Sequence, residues 1–536
     1  MEESLEVDDI RTKDIDEMVT QRPLILVAGR RKPRSHSMRQ SQQLQCRYSK
    51  LKVVLATVAA ALFIAGKLYG LSKLHSRPAT TTLESANGHV PRLPLKDIPE
   101  GLKPLQDCSI NNIFADTRLD FLTSAKQPGV SDYVNRRDRL ARALVADGYD
   151  AFVVEPGYTF TYYANVSQPD WEVWEPEERP FLMVVRSTKV NGSIVADTSF
   201  LVPSFEAERA RLLGMPFKAP IQVVTYEEHR NPYATFLQSS VFEDISGNRP
   251  KIMVDEEMRD FISRGLANNG FDVIGLGGQV ERVRQIKSEV EIGILKAVNT
   301  GTVESLRAMR KCLVPGLTED DVTQVLDNTM RAAGLDPFFD IVLFDENASN
   351  PHGGTNGTKG LEDDTMVLID VGAHLFGYSS DICRSFFPPF LPQPNSVRDL
   401  AKLSDDLKEK LHVWDVVFAA QTASLSELHE NSSAAAVDIA ARRVITKAGF
   451  GAAFTHRVGH GIGIKAHESP YLNKGNINTT LISGMAFTSE PGIYLLDKFG
   501  VRHEDVLLTY LVDEEHWTHG IRSLILKDAL AAQLAW

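Results

Sequence analysis

Within the apolar stretch LIDVGAHLFGYSSDICRSFF, residues 368–387, stand two aspartates, Asp370 and Asp381, eleven positions apart. An ionised carboxylate is costly to bury unless a cation pairs with it, so each of them needs a partner. Further along, HRVGHGIGIKAHESP carries His456, His460 and His467, GMAFTSEPGIYL carries Glu490, and GVRHEDVLLTYLV carries Glu504. Taken singly, each has an ordinary explanation: a strand-end aspartate caps a turn, and a lone histidine is more often a satisfied core residue than a ligand. Taken together, four carboxylates on two strand pairs repel at close range. Arg384 and Arg502 are available to neutralise part of that charge. A pair of divalent cations neutralises it better and uses the imidazole as well. Hard oxygen donors with one imidazole suit manganese, cobalt, iron or zinc. Two such ions about 3.5–4 Å apart make a hydrolytic centre in which a shared water becomes the nucleophile.

These side chains need elements to position them. Residues 366–371 read as a strand carrying Asp370, Gly377 as a turn, and Asp381 as the opening of a returning strand, ICRSFF. A hairpin would bring the two carboxylates together. Glu490 ends one apolar strand, and Glu504 lies in another after a short turn at 497–500. Upstream, a long helical stretch begins at 284 and ends at Val314-Pro315-Gly316. The next helix, TEDDVTQVLDNTMRAAG, opens with Thr318 as N-cap and acidic residues in its first turn. A further helical region covers 398–449, so the second half has an α+β pattern. Between 131 and 283 the text alternates instead. A helix with Leu140, Leu144 and Val145 at helical spacing precedes the strand DAFVV, and FLMVV, SIVADTSFLV, IQVVTY, KIMVD and DVIGL follow. This predicts an α/β domain with no nucleophile motif or phosphate loop, in a structural or substrate-shaping role.

The N-terminus is different in character. An acidic stretch is followed by a basic one, with Arg30, Arg31, Lys32, Arg34, Arg39, Arg47, Lys50 and Lys52, and then by VVLATVAAALFIAG, an uncharged run of 14 residues. The run reaches 71 if Lys67 snorkels. The basic flank on its N-terminal side predicts a single-pass type II anchor, with a cytosolic tail over 1–52, a membrane span over 53–71 and a stalk over 72–130. The body would then be lumenal or extracellular. Six N-x-S/T sequons, at Asn165, Asn191, Asn347, Asn356, Asn431 and Asn478, point the same way toward a glycoprotein; chance gives about two or three.

Composition narrows the class. Acidic residues outnumber basic ones, 70 to 58, for a formal charge of −12, which argues against a nucleic-acid partner. Cys46, Cys108, Cys312 and Cys383 form no CxxC pair, so a zinc knuckle is disfavoured and the expected disulfide count is one or none.

The order Asp370, Asp381, HRVGHGIG, HESP, SEPGIY, VRHEDV resembles that of the M24 "pita-bread" metallopeptidases, in the branch of aminopeptidase P, prolidase and creatinase. The likeness covers residues 284–515, and 131–283 is similar to that branch's creatinase-like N-terminal domain. It implies an α+β catalytic domain over 284–536 and cleavage of the peptide bond before proline in proline-containing peptides. It implies two divalent metal ions, manganese foremost, and a homodimer. Asp370 would bind one metal, Asp381 and Glu504 would bridge both, and His460 and Glu490 would bind the other. Glu490 would also act as general base, His467 would steady the tetrahedral intermediate or shuttle its proton, and His352, in NPHGGTNG, would lie near the scissile carbonyl or the proline side. All five ligand positions are filled, which disfavours the metal-free creatinase chemistry. The loop after HESP has Lys474 but no arginine, where prolidases typically hold the substrate carboxylate, so an aminopeptidase is slightly favoured over a strict dipeptidase. A hydrolase or lyase acting on a small metabolite, and a binding protein on a retired peptidase scaffold, are the competing readings.

Overall fold

A computed structural model describes residues 92–117, 119–172, 174–245, 249–391 and 401–509, and the backbone of 521–523. Residues 103–117, within the segment read as a stalk, form helix α1 (Lys103–Thr117), and Cys108 on it is disulfide-bonded to Cys312. Helix α2 (Val130–Asp147) follows. Its Leu140 and Leu144, four apart and therefore on one face, are fully buried.

Every apolar run expected between 131 and 283 becomes a strand: β1 (Ala151–Val154), β2 (Leu182–Val190), β3 (Ser193–Pro203), β4 (Gln222–Tyr226), β5 (Lys251–Val254) and β6 (Asp272–Gly275). They form one mixed sheet in the order β4-β3-β2-β1-β5-β6. β2 and β3 make a tight antiparallel hairpin around Asn191-Gly192, both at positive φ, the turn chemistry that matches strand twist.

The second half opens with a pair of helices. Helix α3 (Glu289–Arg310) starts at a capping box between Ser288 and Glu291. It therefore begins later than the helical text at 284, which belongs to a separate short helix, Gly278–Gln285. Helix α4 (Glu319–Ala332) is capped by Thr318, whose side chain accepts from the Asp321 amide while Asp321 reaches back. Strands β7 (Asp336–Phe344), β8 (Val367–Leu375), β9 (Tyr378–Ser379) and β10 (Ile382–Phe386) form an antiparallel sheet ordered β10-β8-β7, with β9 paired to β8. Among its described residues, the region 398–449 gives two helices, α5 (Asp405–Glu427) and α6 (Ala434–Lys447), because Ser433 caps a new start.

The remaining strands are β11 (Gly459–Gly461), β12 (Glu468–Leu472), β13 (Ala486–Ser489), β14 (Gly492–Leu495), β15 (Phe499–Arg502), β16 (Asp505–Thr509) and β17 (Ile521–Ser523). Five of them form a sheet in the order β12-β11-β13-β16-β17, while β14 and β15 pair as a hairpin. The result is a mixed α/β C-terminal fold preceded by an N-terminal α/β domain.

The membrane placement predicted from the N-terminus is corrected here. Among the described residues no helix is long and apolar enough to cross a membrane, and the segment 53–71 lies outside them. The uncharged run of 14 residues also falls short of the about 20 that a span requires. The sequon argument weakens too, since the Asn347 amide donates to both oxygens of buried Glu319, at 2.9 and 3.0 Å.

Candidate metal centre

The β8–β10 ladder sets Cys383 opposite Asp370. Residues directly opposite share a face, and Asp381 lies two positions before Cys383, so both aspartates emerge on one side. The second sheet supplies the other donors: His460 on β11, Glu490 just past β13, and Glu504 between β15 and β16. Backbone bonds join the pieces. The Glu504 amide donates to the Cys383 carbonyl at 3.0 Å, and the Glu490 amide to the Val458 carbonyl at 2.7 Å. The glycines flanking His460 permit this approach. A Cβ at Gly459 would sit 2.1 Å from the Thr488 carbonyl oxygen, and one at Gly461 2.7 Å from that of Glu468.

Donor atoms converge in three overlapping groups: Asp370, Asp381 and Glu504; His460, Glu490 and Glu504; and Asp381, His460 and His467. Within each group the atoms lie within 4.8 Å of one another. Asp370, Asp381, His460 and Glu504 are buried. The Glu490 side chain is 16% exposed, and His467 is exposed at the mouth. Asp370 Oδ1 and both Glu504 carboxylate oxygens are buried with no hydrogen-bond partner.

The tautomer of His460 follows from its surroundings. Its Nδ1 lies 3.0 Å from the Gly461 carbonyl, which can only accept, so Nδ1 carries the proton. Nε2 then presents a lone pair, 3.4 Å from Glu490 Oε1 and 3.5 Å from Asp381 Oδ2. Three acceptors face one another, a stable arrangement only with cations or extra protons between them. The protonation equilibria register this strain. Burial, then the carboxylates around them, pushes Asp381 and Glu504 far above the usual carboxylate range. Burial pushes Glu490 up to about 7, against the pull of Arg502. Burial, then neighbouring His467, drives His460 far down. The donor set therefore fits a divalent metal.

Of the two arginines expected to neutralise the cluster, Arg502 pairs with one of its carboxylates and Arg384 does not. Arg502 donates to Asp370 Oδ2 at 2.5 Å and to the Tyr494 hydroxyl at 2.8 Å. Tyr494 in turn donates to His456 Nε2 at 2.8 Å, because His456 Nδ1 is committed to the Arg457 carbonyl at 2.7 Å. Arg384 donates to the Glu504 carbonyl at 2.5 Å and to Asp505 at 2.6 Å. His352 is exposed, in the turn following β7. Its electrostatic influence reaches His467, whose pKa is lowered by packing around the ring and then by Arg457 and His352, although the residue is open on one side.

Spacing gave no role to Tyr494, His456 or Arg457, though all three lie inside quoted motifs. Their hydrogen-bond partners come from remote segments, and no local pattern encodes them. Lys474 lines a surface hollow of about 500 Å³ with Ile439, Arg442, Arg443, Thr446 and Lys447, and none of the converging donors lines it. A larger cavity, about 900 Å³, opens between the Glu155–Tyr158 and Asp255–Arg259 segments and the His374–Gly377 turn, and it too is lined by other residues than these donors.

The sequence profile of metallopeptidase family M24 matches residues 294–513. An uncharacterized peptidase of Schizosaccharomyces pombe is 37% identical over 418 residues, which span 76% of this chain and 86% of the relative. A dipeptidase of Mycobacterium ulcerans superposes with a TM-score of 0.61 at 25% identity, covering 75% of this chain and 98% of that one. A prolidase of Thermococcus sibiricus gives a TM-score of 0.59 at 26% identity, covering 74% and 98%. M24 enzymes bind divalent metals, and the converging acidic and imidazole groups here are placed to hold one. With its motif order, its two-domain architecture and its nearly full-length relative in agreement, this chain belongs to metallopeptidase family M24.

Proposed function

We propose that the chain hydrolyses the peptide bond preceding proline, as an Xaa-Pro aminopeptidase or Xaa-Pro dipeptidase. One observation carries the reading: five donors from two sheets converge, with buried oxygens left unpaired. The similar dipeptidase and prolidase structures support it. The donor set suits two divalent ions, manganese foremost, with cobalt, zinc or iron as alternatives. Asp370 would hold one, His460 and Glu490 the other, and Asp381 and Glu504 both. When bound, the metal supplies Lewis acidity toward a carbonyl and lowers the pKa of water.

The chain's own side chains do the rest. Arg502 occupies one oxygen of Asp370 and leaves the other facing the centre. The Gly461 carbonyl fixes the His460 tautomer. Glu490 takes the proton of the attacking water, and His467 steadies the developing oxyanion or passes the proton to the departing proline nitrogen. His352 orients the scissile carbonyl or the proline side. Purified protein supplied with manganese, cobalt or zinc should cleave Xaa-Pro dipeptides, Xaa-Pro-Yaa tripeptides, or both. Absence of cleavage with every metal would overturn the proposal and favour a small-metabolite substrate or a binding role.

A further inference from the structure

Lys287 and Glu468 form an ion pair that neither the donor set nor the chemistry above uses. Lys287 lies in the text RQIKSEVE, between the short helix Gly278–Gln285 and α3. Glu468 is the glutamate of HESP, the first residue of β12 and the next one after His467. The two side chains are only 1% and 2% exposed. Lys287 Nζ also donates to the Arg284 carbonyl at 2.8 Å, and the Lys287 amide donates to the Gly484 carbonyl at 2.8 Å. The second oxygen of the carboxylate, Glu468 Oε2, has no hydrogen bond and is faced by Arg284 Nε at 3.9 Å. Arg284 in turn pairs with Glu256 of the N-terminal domain at 3.1 Å.

A buried ion pair is a poor way to stabilise a fold, because desolvation offsets its attraction and apolar residues of similar volume do as well or better. Stability alone therefore does not account for these two charges. What they can place is His467. Its ring rests against the His460 ring, centroids 4.1 Å apart, and makes no hydrogen bond of its own among the described residues. Its orientation then depends on its backbone, and the next residue is held at both ends. The Glu468 side chain is fixed by Lys287, and its backbone by the ladder with Gly461 of β11. The loop between these strands folds against the same pair. A Cβ on Gly463 would stand 2.8 Å from Glu468 Oε1 and 3.1 Å from Lys287 Cε, so glycine lets the loop close over it.

We propose that Lys287 and Glu468 are positioning residues that aim His467 at the reacting bond, with Arg284 carrying the support across from the N-terminal domain. The inference rests on the peptidase reading above, in which His467 serves the oxyanion or the departing nitrogen. Neither Lys287 nor Glu468 belongs to the converging donor groups, so their effect on turnover passes through the histidine.

The test uses the full chain loaded with manganese. K287M/E468M removes both charges together, so no unpaired ion is left buried; K287M/E468Q takes its place if that pair does not fold. The double variant should keep its metal and its urea midpoint. Its kcat on Xaa-Pro substrates should fall about 10- to 100-fold with KM little changed, the range for a lost supporting partner or a small misplacement. K287R, which keeps the charge, should retain most of the activity. In an H467A background the double substitution should cost nothing further, because the residue it acts through is gone. An unchanged kcat, or the same fold-loss in H467A as in wild type, overturns the proposal. Crystal structures of wild type and double variant supply a readout that needs no turnover: the His467 ring should leave its place 4.1 Å from the His460 ring. If wild type cleaves no Xaa-Pro substrate, the hydrolase reading fails and this displacement decides alone. A ring that stays in place sinks the positioning role.

Discussion

Asp370 and Asp381 differ in what already neutralises them. Asp370 has the Arg502 guanidinium at 2.5 Å, whereas the Asp381 carboxylate faces His460 Nε2 at 3.5 Å together with the other carboxylates of the cluster. Asp381 is therefore the more dependent on a bound cation. D381N should abolish metal uptake and peptide cleavage together, with metal content read by mass spectrometry and a loss of at least about 10²-fold in kcat. Activity that survives would contradict the bridging assignment. Titration gives a second expectation. Glu490 sits at about 7 without metal, raised chiefly by burial, and Asp381 and Glu504 lie far above their ordinary range. Protons occupy the site at neutral pH and a metal must displace them, so apparent affinity rises from pH 6 to pH 8 with release of protons. Calorimetry in buffers of different ionisation enthalpy reads that release; affinity independent of pH would contradict it.

At the scale of elements, local chemistry explains where each piece starts. Thr318 and Asp321 cap α4 reciprocally, and the sequence showed the cap because its signal is confined to four residues. T318A should cost about 1 kcal/mol in chemical denaturation, with no change in substrate preference. The six N-terminal strands were legible for a related reason: apolar, β-branched runs end at turn residues within a short window. The long helical readings were less well resolved. The stretch beginning at 284 proved to contain a helix ending at Gln285 and a second starting at Glu289, and 398–449 also divided. Ser288 and Ser433 are the capping residues at these breaks, and helical periodicity is blind to a cap placed in otherwise suitable text.

For the whole molecule, the question is what ties the two domains and the N-terminal helix to the catalytic body. The Cys108–Cys312 disulfide closes 204 positions of chain and fastens α1 beside α3. Replacing both cysteines by serine should lower stability by about 2–4 kcal/mol, measured as a shift in the urea midpoint, while metal binding persists. Hydrogen bonds and ion pairs join the domains elsewhere. Arg136 of α2 donates to the Tyr378 hydroxyl at 2.8 Å, and Tyr378 donates to Glu291 of α3 at 3.0 Å. Arg284 and Lys465 each reach Glu256 at 3.1 Å. These links span up to 242 positions, and sequence spacing carries no trace of them. The N-terminal domain thereby holds β9 and the loop before β12, close to His467.

The sequence by itself determined most of the elements and offered the candidate donors. Strand and helix identity follows from short-range periodicity and capping. The five ligand candidates declared themselves as charges set in apolar text, where burial without a cation is unfavourable. It also carried one misleading signal, the short apolar run behind a basic flank, whose length was insufficient for the membrane placement read from it. Only the tertiary structure decided which charges are satisfied. It assigned Arg502 to Asp370 and Arg384 to Asp505, and threaded Tyr494 between Arg502 and His456. Pairing depends on distances between atoms far apart in the chain, and those distances exist only after the two sheets have packed.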